Sequence, residues 1–155
     1  MEPYKMVKVV AVSGFFDPLH VGHIEYFKMA KGLGDRLIVV LNNDEQLLLK
    51  RGKSGFMNQS ERKKVIESIG FVDEVFISVD KDRSICESLR VLSPDVFANG
   101  GDRFADEIPE SKVCRELGIE MVDGLGEKVK SSREFYNKDG NNGMEVDNAD
   151  REGVR

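Results

Sequence analysis

With 155 residues, 40% of them hydrophobic and 33% charged, the chain has apolar material for one core and little length for two domains. A formal net charge of -5 excludes a protein that coats nucleic acid or rides an anionic membrane by bulk charge, yet leaves room for a local basic site for a small anion. No apolar stretch nears the roughly 20 residues that cross a bilayer, and Met-Glu-Pro-Tyr-Lys lacks a signal core, so a cytoplasmic protein binding neither membrane nor nucleic acid is expected.

Val7 to Val12 (VKVVAV) is a β-branched run and predicts a first strand, followed by a loop from Ser13 to His20. Val21 to Lys31 has helical spacing. Its Ile24, Phe27, Met29 and Ala30, with Leu33 beyond, form a face fit to pack on a sheet, and Gly34 stands where the helix should stop. Leu37 to Leu41 predicts the second strand, and Asn42 to Asn58 reads as a long loop. Asn58 and Glu61 make a capping box for a helix over Gln59 to Ile69. Val75 to Val79 is the third strand, and Ser84 with Glu87 suggests another capping box for Ser84 to Leu92. Val96 to Ala98 is the fourth strand. Pro109 suits the first turn of a helix to Leu117, closed by Gly118, and Ile119 to Val122 is the fifth strand. From Asn137 the chain is rich in Asn, Asp, Gly and Glu and cannot offset its ordering entropy by burial, so residues 1–136 are expected to form the domain and 137–155 a disordered tail. Cys86 and Cys114 are far apart in sequence, which predicts two reduced thiols rather than a disulfide scaffold.

Nearly continuous apolar strands alternating with helices imply an α/β domain: a doubly wound, Rossmann-like parallel sheet covered on both faces by right-handed crossovers. Such sheets bind ligands outside the carboxyl ends of their strands, where strand order reverses. The loops after strands therefore carry the chemistry.

The first of these, within Gly14-Phe-Phe-Asp-Pro-Leu-His-Val-Gly-His23, holds both histidines of the chain. If the helix starts near Val21, His20 and His23 fall one turn apart at its N-terminus, on about one face. Free backbone N–H groups and the macrodipole favour an anion there, and Gly14 and Gly22 would let phosphates approach the backbone. Two imidazoles would complete a phosphate cradle. Zinc binding by His-x-x-His needs further ligands, and the cysteines lie on distant helices, so no metal ligand is assigned. Gly52-Lys53-Ser54 is not a P-loop, because Leu47 stands where the first glycine belongs, and a Gly-x-Gly-x-x-Gly is absent from the first turn.

His20-Val21-Gly22-His23 closely resembles the His-x-Gly-His signature of the cytidylyltransferase-like nucleotidylyltransferase superfamily. Further segments resemble the family in the same order: Asn42-Asn43-Asp44, Lys50-Arg51-Gly52-Lys53, Asn58-Gln-Ser-Glu-Arg62, Phe71-Val-Asp-Glu-Val75, and Pro94 to Asp102. The resemblance looks closest to the domain that adenylylates heptose phosphates, and next to glycerol-3-phosphate cytidylyltransferase. It implies transfer of a nucleoside monophosphate from ATP or CTP, with Mg²⁺ carried by the triphosphate, to a small phosphorylated acceptor, with pyrophosphate leaving.

By the same resemblance His20, His23 and the loop lysine Lys50 would be catalytic, the histidines contacting phosphates and stabilising the pentacovalent transition state. Gly14, Phe15, Phe16, Asp17, Gly22, Asn99, Gly101, Asp102, Ser131 and Ser132 would bind the nucleotide. Lys53, Arg62 and Lys130 are secondary candidates; Arg62 would reach a phosphate or merely pair with a surface carboxylate. Asp17 would help place the acceptor or Mg²⁺, or only shape its turn. Where the family has an Ile-Ser-Thr-Thr segment this chain has Val129-Lys130-Ser131-Ser132, and Leu125 stands where the cytidylyl branch has arginine, a departure that leans toward ATP. Relatives are commonly dimers, which admits a homodimer. The alternative is a non-catalytic nucleotide-binding module of the same fold.

Overall fold

Five short apolar runs each form a strand and are joined by helices in the computed structural model, which describes residues 6–100 and 108–125. In chain order the elements are β1 (Val9–Gly14), α1 (Val21–Lys31), β2 (Arg36–Leu41), α2 (Asp44–Arg51), α3 (Gln59–Glu67), β3 (Glu74–Ile77), α4 (Cys86–Leu92), β4 (Val96–Gly100), α5 (Glu110–Leu117) and β5 (Glu120–Leu125). The sheet order is β3-β2-β1-β4-β5, with every neighbouring pair parallel. Val10 of the central strand sits level with Leu37 on one side and Val96 on the other.

Side chains alternate across the strands and build two cores. Val10, Val12, Leu37, Val39 and Leu41 meet Phe27 and Ala30 of α1 and Ile66 of α3 on one face. Ala11, Ile38, Val40 and Phe97 meet Leu89 of α4 and Val113 and Cys114 of α5 on the other. After β1 the chain turns to β2 and β3, then returns to the opposite side of β1 as β4. The switch point therefore lies between β1 and β4, with α1 and α4/α5 on opposite faces of the crevice.

Several expectations are corrected. The stretch read as one loop from Asn42 to Asn58 contains α2, because Asn43 and Gln46 form a capping box and Gly52 ends the helix in the left-handed region at φ 77°. Lys50 is thus on the last helical turn, not in a loop. Ser84 does not cap α4 through a capping box with Glu87; Asp80 instead accepts from the N–H groups of Glu87 (2.7 Å) and Ser88 (2.9 Å). Met29 is exposed, while Phe27 and Ala30 seat α1 on the sheet. Gly34 follows a helix already closed at Gly32, and its role is close packing: an added Cβ would lie 2.8 Å from the Lys8 carbonyl oxygen.

The expected tail 137–155 lies outside the described residues, as do Gly101, Asp102, Lys130, Ser131 and Ser132. Among the described residues no helix is long and apolar enough to cross a membrane.

Candidate active site

A cavity of about 530 Å³ opens at the switch point, lined from the α1 side by His20, His23 and Tyr26 and from the α4/α5 side by Arg83, Ile85 and Glu110. Its floor is the ends of β1 and β4, with Ser13, Gly14, Asn99 and Gly100, and Lys50 borders it from α2. The volume falls within the range of small-molecule sites.

The two histidines cap α1 reciprocally. The Gly22 N–H donates to His20 Nδ1 at 3.1 Å, and the His20 N–H donates to His23 Nδ1 at 3.2 Å. Each Nδ1 is an acceptor, so each neutral ring carries its proton on Nε2. The rings stack with centroids 3.8 Å apart, and Phe16 sets its edge against His23 at 4.9 Å. Burial lowers the pKa of His20; burial and then the charge of His20 push that of His23 down to about 4. Near neutral pH the site thus presents two neutral N–H donors at the positive end of a helix that has no acidic residue in its first turn.

Phe16 is held at φ 49° and buried, and its ring covers Gly14 so closely that a Cβ there would lie 2.6 Å from Cζ. Gly14 is therefore small to seat Phe16, a different reason from close approach by a ligand. The Gly22 amide is engaged in the helix cap.

Two charged candidates are struts, Asp17 on the cavity lining and Arg62 behind it. The Asp17 side chain is wholly buried; its carboxylate accepts from Arg51 Nη1 (2.8 Å), the Phe56 N–H (2.8 Å) and the Met57 N–H (3.0 Å). This network pins the loop after β1 to the connection after α2, and a Cβ on Gly55 would collide with that carboxylate. Arg62 is also wholly buried. It donates to the carbonyls of Phe15 (2.9 Å), Asn42 (2.9 Å) and Met57 (3.2 Å) and pairs with Asp44 at 2.7 Å. Of the two readings of Arg62, carboxylate pairing holds, and the guanidinium also ties together the loops after β1 and β2.

Lys50 is exposed, with Nζ 4.6 Å from the Phe15 ring centroid, on the cavity border. Lys53 is exposed and is not among the residues lining the cavity. Asn99 is buried in the floor, and its Nδ2 donates to Asp123 at 3.1 Å. Arg83, Glu110 and Tyr26 were not singled out from sequence. Arg83 ends one of the loops that follow strands, the signal that marks it; Tyr26 joins α1 to β4 by donating to the Ala98 carbonyl at 2.6 Å. Burial raises the pKa of Cys86, and burial followed by Glu110 pushes Cys114 up to about 11, which leaves both thiols protonated and unreactive.

A doubly wound parallel sheet whose switch-point cavity is lined by imidazole N–H donors, a helix N-terminus and the cations Lys50, Arg51 and Arg83 defines a phosphate-handling, nucleotide-binding domain. The profile of the cytidylyltransferase-like family matches residues 11–137. The chain belongs to that family and is a nucleotidyltransferase. It is 39% identical over 127 residues to FAD synthase of Pyrococcus abyssi, covering 82% of this chain and 80% of the relative. It is also 39% identical over 119 residues to the bifunctional protein HldE of Campylobacter curvus, covering 76% of this chain but only 25% of that protein. Among solved structures, the lipopolysaccharide core biosynthesis protein of Thermoplasma volcanium superposes with a TM-score of 0.64 at 25% identity, covering 76% of this chain and 96% of its own.

Proposed function

We propose that the chain transfers AMP from ATP to FMN, forming FAD and releasing pyrophosphate. The observation that carries nucleotidyl transfer is the pair of Nε2–H donors fixed at the N-terminus of α1, which has no acidic residue in its first turn, facing the switch-point cavity. The acceptor is chosen from the likeness to an archaeal FAD synthase over four-fifths of both chains. Leu125 in place of the cytidylyl branch's arginine supports ATP over CTP.

In this reaction a phosphate oxygen of FMN attacks the α-phosphorus of ATP. The new P–O bond forms as the bond to pyrophosphate breaks, and no residue of the protein forms a covalent bond. The barrier lies in bringing two anions together and in charge gathering on the phosphoryl oxygens, so positioned donors are the means of catalysis. His20 and His23 donate to those oxygens, and Lys50 leaves Phe15 to neutralise the triphosphate. Mg²⁺ enters as part of the nucleotide substrate; among the described residues no three His, Cys, Asp or Glu side chains gather as a metal site.

The second reading is adenylylation of a sugar phosphate, favoured by the match to HldE. Pyrophosphate release is measured for ATP, CTP, GTP and UTP, each paired with FMN, heptose 1-phosphate and glycerol 3-phosphate in the presence of Mg²⁺. Turnover with ATP and FMN, and FAD as the product, is the expected result. Preference for heptose phosphate moves the acceptor to sugar, and no turnover with any pair favours a non-catalytic nucleotide-binding module. Deleting residues 137–155 should leave turnover unchanged.

A further inference from the structure

Phosphate binding gives the α1 wall of the cavity its proposed role; on the opposite wall a carboxylate oxygen has no hydrogen-bond partner among the described residues. Glu110, the first residue of α5, is 4% exposed and lines the cavity. Its Oε2 accepts from the Ile85 N–H at 2.9 Å, fastening α5 to the start of α4. Its Oε1 is buried and has no hydrogen-bond partner among the described residues. An acceptor oxygen stripped of water is costly unless a donor reaches it, more so when it belongs to a carboxylate.

What arrives in this cavity narrows the donor. Phosphates offer acceptors at neutral pH and would be repelled by a carboxylate, so the group opposite Glu110 is an uncharged part of a substrate that carries O–H or N–H. Glu110 opens α5, the helix that follows β4, whose Asn99 and Gly100 are on the cavity floor, and so stands on the β4 side of the switch point. The ribose is joined directly to the phosphoryl group being transferred and offers a vicinal diol, which a carboxylate recognises well. We propose that Glu110 accepts a hydrogen bond from the nucleotide's ribose through Oε1 and makes the enzyme selective for ribonucleotides. This rests on the nucleotidyl-transfer reading of the cavity, not on the identity of the acceptor.

The test compares ATP, 2′-deoxyATP and 3′-deoxyATP, by calorimetric binding without acceptor and by kcat/KM with the active acceptor. A hydrogen bond to a charged group predicts that at least one deoxynucleotide binds about 10- to 100-fold more weakly than ATP. Glu110→Gln, which keeps an oxygen for the Ile85 N–H, should shrink that ratio to near unity while the KM of the acceptor holds. Equal binding of all three nucleotides to the wild-type protein overturns the assignment. So does a variant that raises the acceptor KM and leaves sugar discrimination intact. If Glu110→Gln does not fold, Glu110→Asp, which draws the carboxylate back by one methylene, takes its place, and unchanged sugar discrimination in it overturns the assignment. Discrimination without turnover on any acceptor keeps Glu110 and sinks the proposed reaction; turnover without discrimination does the reverse.

Discussion

Helices α1 and α4 meet the same problem, unpaired N–H groups at a helix start beside the cavity end of the sheet, and meet it with different chemistry. At α4 the buried carboxylate of Asp80 takes the Glu87 and Ser88 N–H groups, satisfying the donors and cancelling the positive end of the dipole. At α1 the cap is a neutral imidazole, which satisfies the Gly22 N–H but leaves the dipole uncancelled and projects a further N–H. Both caps stabilise a helix. Only the second leaves an electrostatic vacancy for an anion, which is why the proposed phosphate site is at α1.

His20→Asp converts the first cap into the second kind. Turnover should fall at least 10²- to 10³-fold while the thermal midpoint is kept, since aspartate caps well but opposes phosphate. Full activity in a folded His20→Asp protein would refute a phosphate at this helix end. Arg62→Ala attacks the frame behind the cavity and should lower unfolding free energy by about 3 kcal/mol or more, read from the urea midpoint, because three carbonyls and Asp44 lose their donor. Asp80→Ala should cost about 2 kcal/mol and leave kcat/KM nearly untouched, as befits a cap that serves structure alone. A large catalytic loss there would erase the contrast.

The smallest effect is in pH. Both histidines have folded-state pKa values below 6.5, so the stability they lend is complete above 6.5 and declines as pH falls toward about 4, where protonated Nδ1 atoms can no longer accept. Denaturation midpoints for wild type and His23→Ala at pH 7 and pH 4.5 should converge at the lower value. Because the resting donors are neutral, kcat/KM should stay level from pH 7 to 8.5; a fall with rising pH would identify imidazolium as the working form.

The fold was legible because its signals are local. The periodicity of Val21 to Lys31 marks α1 to the residue, and the β-branched runs mark all five strands with ends shifted by at most three residues. The α2 helix was missed because its capping pair, Asn43 and Gln46, hides in a polar stretch and its Leu48 and Leu49 remain exposed. The histidine pair was legible too, since spacing alone brings the rings together. Asp17 and Arg62 were not, because whether a charged side chain is a ligand or a strut depends on partners tens of residues away: Phe56 and Met57 for one, Phe15 and Asn42 for the other. Glu110 carried no sequence signal, since an acidic residue after a proline is ordinary helix-start chemistry.

The reciprocal imidazole cap also restricts which nucleophiles the enzyme can use. With both Nδ1 atoms occupied by backbone N–H groups, neither imidazole keeps a lone pair free to act as general base. An alcohol would have to shed a proton with neither imidazole to receive it. A phosphate monoester, whose second ionisation lies near pH 6, arrives already deprotonated. A helix cap of this kind thereby suits acceptors that bring their own negative charge.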